Sequence, residues 1–153
     1  MKEQFIHINK YGHKHYYSDR EMKIHHREDG PAIEYASGDK SWFINGKLHR
    51  ENGPAVEYAN GDKEWCINGK CHREDGPANE YSDGSKSWYI NGNYHRDDGP
   101  AIEYKNGSKA WYINGKCLTE KEFDARMNPI ELTLQEVAEK LLSIEVNKLK
   151  IKK

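Results

Sequence analysis

The sequence predicts a mostly β fold: a single layer of β-hairpins repeated as a solenoid, with helices closing its C-terminal end. Three observations predict it. Residues 26–117 are four copies of one 23-residue unit: HREDGPAIEYASGDKSWFINGKL from His26, HRENGPAVEYANGDKEWCINGKC from His49, HREDGPANEYSDGSKSWYINGNY from His72 and HRDDGPAIEYKNGSKAWYINGKC from His95. A fixed period of this length, with no insertion, marks a repeat array. Each copy carries two turn dipeptides, and the short runs between them alternate in polarity, as half-buried strands do.

Taken in chain order, the first element is a degenerate leading repeat, about residues 5–25. Gly12, Lys14 and Tyr16 match Gly61, Lys63 and Trp65, and a longer loop, SDREMKIH, precedes His26. Terminal units of an array are expected to be atypical. Full copies follow at 26–48, 49–71, 72–94 and 95–117. Within each, Asn45-Gly46 and its equivalents Asn68-Gly69, Asn91-Gly92 and Asn114-Gly115 suit a two-residue type I′ turn, in which both central residues take positive φ. Ser37-Gly38, Asn60-Gly61, Asp83-Gly84 and Asn106-Gly107 read the same way.

Two-residue turns at both places set the expected pairing. Ile33 faces Trp42, Tyr35 faces Lys40 and Phe43 faces Leu48. One face then collects Pro31, Ile33, Tyr35, Lys40, Trp42, Ile44 and His49, and the other Ala32, Glu34, Ser41 and Phe43. The first is nearly constant between copies and is expected to pack, with Trp42, Trp65, Trp88 and Trp111 stacked as a ladder. Asn79 breaks it, standing where the other copies have Ile33, Val56 and Ile102 and needing a partner opposite Trp88.

The array, 1–118, gives way to a helical cap, 119–153. Thr119 with Glu122 forms a capping box before Phe123 and Met127, and Asn128-Pro129 ends that helix. Thr133 with Glu136 opens a second helix carrying Leu134, Ala138, Leu141 and Leu142 on one side. This helix packs on its own array or pairs two chains as a homodimer.

Composition bounds the function. Only 35% of residues are apolar and 32% are charged, with 24 basic against 25 acidic side chains and a formal net charge of −1. Such a balance disfavours nonspecific nucleic-acid binding through a basic face. No apolar run is long enough to span a bilayer, and no secretory signal pattern is present at residues 1–17. Three cysteines without a CxxC pair suit a reducing compartment, so a cytoplasmic location is expected. Cys66 and Cys71 are expected as cross-strand neighbours around Asn68-Gly69, with Cys117 too far away to join them. A structural zinc wants four ligands, so no metal is expected, and no cofactor.

His26-Arg27-Glu28-Asp29 and its relatives hold groups suited to acid–base work. They recur four times, whereas an active site is one constellation. The expectation is therefore structural: His beside Trp, and Arg paired with Glu or Asp of a neighbouring copy. Phe43, Tyr89, Tyr94 and Tyr112 vary from copy to copy, and aromatic anchors are favoured at protein interfaces. Glu34, Glu57, Glu80 and Glu103 are expected on the same face, making it acidic and complementary to Lys or Arg of a partner.

The segment NGKLHRENGPAVEYANGDKEW, with its order of N-G-K-x-H, Gly, Tyr-bearing β-run, N-G-D and aromatic, resembles MORN repeats over about residues 8–118. Arg after His and the Gly-Pro-Ala run depart from that pattern, placing the chain in a divergent MORN-like class. The pattern HR-x-D-G-P-A with W-Y-x-N-G, closing in CLTEKEFDARM, is similar to repeat proteins of bacteriophages and large DNA viruses. The MORN resemblance implies a β-hairpin solenoid that binds proteins or acidic phospholipids, and no catalysis.

The sequence-based expectation is a non-enzymatic scaffold that docks a protein through Phe43, Tyr89, Tyr94, Tyr112 and the four glutamates. By the viral resemblance the partner is a host protein, such as a defence factor that is blocked in the host cytoplasm. Two alternatives stand beside it. One is attachment to acidic phospholipid through Lys40, Lys63, Lys86, Lys109 and the basic tail. The other is single-stranded nucleic acid stacked on an exposed aromatic ladder.

Overall fold

The structure, a computed structural model, describes residues 4–127, 139 and 141–143. It divides into two compact units, residues 1–120 and 121–153. The first unit is built from antiparallel hairpins, and the expected mostly β hairpin solenoid is what forms. An 11-stranded sheet runs through all the copies, and three two-stranded hairpins flank it.

Each copy contributes the same parts. In the first, β3 (Ile33–Glu34) pairs with β4 (Lys40–Ser41) in the long sheet, and β5 (Phe43–Ile44) pairs with β6 (Lys47–Leu48) in a hairpin. Ahead of them, β1 (Phe5–Ile8) and β2 (Lys14–Tyr17) occupy one edge of the sheet. Tyr17 bridges His25 as Phe43 pairs with Leu48. The eight residues Glu120–Met127 form helix α1, with Phe123 buried. Residues 139 and 141–143 are helical. The rest of the expected second helix, with its Thr133 cap, Leu134 and Ala138, and the basic tail lie outside the described residues.

The Asn-Gly turns form as expected. Asn45 has φ 49° and Gly46 φ 74°, and the three later pairs repeat this. Each turn hangs on its surroundings. The Asn45 N–H donates to His26 Nδ1 at 3.1 Å, and the Gly46 N–H donates to the His25 carbonyl at 2.9 Å. The same His bond recurs at His49, His72 and His95.

The Ser-Gly turn does not form as expected. Gly38 has φ 98°, while Ser37 is not left-handed. The Gly38 N–H donates to the Tyr35 carbonyl and the Tyr35 N–H to the Asp39 carbonyl, each at 2.9 Å. This is a three-residue loop, a type I turn followed by a left-handed glycine bulge. One added residue shifts the register by one and exchanges the faces. Ile33 therefore faces Ser41, not Trp42, and Glu34 faces Lys40.

The correction redistributes the side chains. Ile33 and Tyr35 share a face with Ser41 and Phe43, whereas Lys40, Trp42 and Ile44 share the other with Glu34. Across that second face the register alternates Lys14, Glu34, Lys40, Glu57, Lys63, Glu80, Lys86, Glu103 and Lys109. Opposite charges directly across strands stabilise a sheet, by about 0.2–1 kcal/mol per pair. The core is thin. Ala32, Ala55, Ala78 and Ala101 are wholly buried, and Ile33, Val56, Ile102 and Cys66 are nearly so.

Candidate functional site

The Trp face is a stack of unlike groups. Arg50 lies over the Trp42 ring, with Cζ 3.9 Å from its centroid; Arg73 lies over Trp65 at 4.1 Å and Arg96 over Trp88 at 4.0 Å. Arg27 does the same to Tyr16 at 4.1 Å, so Tyr16 holds the tryptophan's place in the leading repeat. The expected indole ladder is thus replaced by guanidinium groups lying over half-buried indoles. Among the described residues no guanidinium lies on Trp111, because residue 119, one period after Arg96, is threonine.

The arginine is fixed from several sides. Arg73 Nε donates to Asp75 Oδ1 at 2.8 Å, while its Nη1 donates to the Pro77 carbonyl at 3.2 Å and to Glu80 Oε1 at 2.9 Å. Arg27 and Arg96 repeat the set on Asp29 with Glu34, and on Asp98 with Glu103. These bonds stay within the copy, contrary to the expected pairing between copies; what crosses between copies is the cation–π contact. The guanidinium beside Asp29 and Asp75 holds both carboxyls below their usual range. The glycine of the Gly-Pro step makes room for the plane: a Cβ on Gly30 would stand 2.8 Å from Arg27 Cζ, and on Gly76 3.1 Å from Arg73 Cζ. Between neighbouring H-R loops the face opens into grooves, one of about 720 Å³ over Trp42, Ile44, Pro31 and His49, its counterpart of about 680 Å³ over Trp88, Ile90, Pro77 and His95.

Glu34, Glu57, Glu80 and Glu103 belong to this face, not to that of the variable aromatics. Each accepts an arginine Nη1 at 2.8–3.0 Å and stands between lysines in the register. The expected acidic aromatic surface therefore does not assemble, for the same one-residue reason as the Trp pairing.

The opposite face carries tyrosines. Tyr89 and Tyr94 pair across their hairpin, with ring centroids 4.2 Å apart, and Tyr94 meets Tyr112 at 5.1 Å. Three of the four expected aromatic anchors thus come together. Phe43 does not join them; it lies at the other end of the array, 5.5 Å from the His25 ring. Two tyrosines that the sequence reading assigned to packing complete the surface. Tyr81 and Tyr104, 42% and 50% exposed, border a groove of about 290 Å³ with Tyr94, Ser87 and Ile102. Burial pushes the Tyr89 hydroxyl up, aided by Tyr94, so it stays a neutral donor. Tyr58 donates to Glu64 Oε1 at 3.1 Å and, by burial and that carboxylate, is pushed up to about 12. What could have revealed Tyr81 and Tyr104 is the loop length alone, since one added residue moves them onto this face.

Asn79 pairs with Ser87 and Glu64, not opposite Trp88. It is 7% exposed, its Nδ2 donates to the Tyr81 hydroxyl at 3.4 Å, and its Oδ1 has no partner. Cys66 and Cys71 pair as expected. Among the described residues no group of three or more His, Cys, Asp or Glu is placed to hold a metal, and no helix is long and apolar enough to cross a membrane.

Compared with protein-family models and with curated proteins, the chain matches none.

Proposed function

We propose that the protein is a non-enzymatic docking scaffold that binds another protein through its tyrosine face. The observation that carries this reading is the convergence of Tyr81, Tyr89, Tyr94, Tyr104 and Tyr112 on one stretch of the array. Tyrosine supplies large, rigid contact area with a polar tip, the combination enriched at interfaces. The His-bound turn and the arginine laid over an aromatic ring recur along the array and are accounted for by folding. Tyrosine recurs on this face at Tyr35, Tyr58, Tyr81 and Tyr104, whereas its hairpin positions differ between copies, and only there do Tyr89, Tyr94 and Tyr112 come together, as expected of a surface adapted to one partner.

The reading includes membership of a divergent MORN-like class. The 23-residue period and the hairpin in each copy support it. By the separate likeness of its HR-x-D-G-P-A and W-Y-x-N-G pattern to repeat proteins of phages and large DNA viruses, we propose that it acts in the host cytoplasm on a host protein. Two observations weigh against the alternatives. An arginine covers one face of each of Trp42, Trp65 and Trp88, leaving less of the indole for bases. The lysine row is interleaved with glutamates, which lowers its attraction to anionic lipid.

The test uses Tyr81→Ser/Tyr104→Ser, a pair exposed enough to change without loss of fold. Immobilised wild type and variant are exposed in parallel to nuclease-treated lysate of the organism in which the protein acts. A stoichiometric protein held by wild type and at least tenfold weaker on the folded variant supports the reading. Equal retention by both, or retention by neither, overturns it.

A further inference from the structure

One pair of side chains is used neither by the repeat's folding motif nor by the tyrosine face. Positions 66 and 71 hold Phe43 with Leu48, Tyr89 with Tyr94, and Tyr112 with Cys117 in the other copies. Only the second copy places a thiol at both. The two changes are partners: Cys66 and Cys71 are directly opposed across the hairpin.

Their setting is that of a non-hydrogen-bonded antiparallel pair. The Cys66 carbonyl accepts from the Arg50 N–H at 3.2 Å, and the flanking Trp65 carbonyl accepts from His72 at 3.0 Å. Such pairs bring Cα atoms to about 4.5 Å and side chains together on one side, inside the span of about 4.4–6.8 Å that a disulfide bridges. The two Sγ atoms are already 3.9 Å apart. Cys66 is buried at 3% exposure and Cys71 is half-buried, so one thiol is reachable and the other waits behind it.

We propose that Cys66 and Cys71 form a thiol–disulfide site that reacts with low-molecular-weight disulfides of the glutathione class. The thiolate of Cys71 attacks one sulfur of the small disulfide, releasing one small thiolate and leaving a mixed disulfide on Cys71. Cys66 then attacks the Cys71 sulfur, its proton passing to the departing second thiolate. In sum, two protein thiols lose two electrons and two protons to one bond, and the small disulfide becomes two thiols. The Cys66 S–H, donating to Cys71 Sγ, holds Cys71 below the ordinary thiol range and Cys66 above it, consistent with Cys71 as the first nucleophile. This inference does not depend on the docking reading.

The test equilibrates the full-length protein across buffers of reduced and oxidised glutathione, alkylates free thiols, and reads intact mass and peptide maps. The expected result is joint loss of two alkylation sites, mapped to a linked Cys66–Cys71, with Cys117 still alkylated. Cys66→Ala is expected to stop at the mixed disulfide on Cys71. Alkylation of all three thiols across the series, or a crosslink containing Cys117, overturns the proposal; the wild-type measurement decides it without any variant.

Discussion

Arg73 lies over the indole of Trp65, its Cζ 4.1 Å from the ring centroid, although the two residues belong to different copies. The same arginine is tied by Asp75, Pro77 and Glu80 within its own copy. It is thus one of the groups that join one copy to the next, beside the strand pairing. A desolvated cation on tryptophan contributes up to about 2 kcal/mol, and a hydrogen bond to a charged group about 1.5–3 kcal/mol. Partial exposure of the arginine and its carboxylates moves both towards their lower ends.

Arg73→Ala is therefore expected to lower stability by about 2–4 kcal/mol. Arg73→Lys is expected to cost about half that, keeping the charge but not the planar fork. Urea unfolding followed by tryptophan fluorescence checks both, and equal losses for the two variants would contradict the role given to the plane.

The second copy has Asn52 where the others have Asp29, Asp75 and Asp98 receiving the arginine Nε. Asn52→Asp is expected to add one exposed ion pair on Arg50, with a gain of about 0–1 kcal/mol. The gain shrinks in high salt, which a urea series with and without added salt reads directly.

The glycine before proline gives a graded prediction. A methyl at Gly30 meets Arg27 Cζ at 2.8 Å, whereas at Gly99 it meets Arg96 Cζ at 3.3 Å. Gly30→Ala is expected to destabilise by about 1–3 kcal/mol, in the range of overpacking, and Gly99→Ala by less. Thermal midpoints in the reverse order would refute the sandwich of ring, guanidinium and glycine.

Asn79 leaves a buried Oδ1 unpaired where its counterparts are Ile33, Val56 and Ile102. An unmet buried acceptor costs about 1–3 kcal/mol. Asn79→Ile is expected to raise stability by that order, seen as a higher urea midpoint at unchanged slope.

The leading repeat carries a pH dependence. His15 Nδ1 and His25 Nε2 are 3.1 Å apart, with His7 and His13 nearby. Burial first, then the neighbouring histidines, lowers both. A lowered histidine binds fewer protons folded than unfolded, so stability rises with pH. Its contribution is whole above the ordinary value of 6.5 and is lost as pH falls below it. The carboxylates held low, such as Asp29 and Asp39, lose theirs only below about 3.8. His15→Ser/His25→Leu, which installs the residues of Ser41 and Leu48, is expected to flatten the profile between pH 7 and 5, measured as urea midpoints.

The Asn-Gly turns and their pairing were legible because positive φ at two adjacent residues leaves few other solutions. Phe43 opposite Leu48 and Cys66 opposite Cys71 follow from that alone. The Arg–Trp stack was not legible. It joins Arg73 to Trp65 through contacts that no local pattern encodes, and the motif offered Glu and Asp as equally good partners.

Sequence alone determined the period, the hairpin as the repeating unit, the β class and the clustering of Tyr89 with Tyr94. These rest on local geometry, which a short run of residues dictates. Only the tertiary structure decided which side chains share a face. Ser37-Gly38 fits both a two-residue turn and the end of a three-residue loop, and the choice turns on Tyr35 bonding to Asp39 and on the next copy bonding to Asp39 in turn. Because strand side chains alternate with period two, that single residue put Glu34 with Trp42 and left Tyr81 and Tyr104 beside Tyr94.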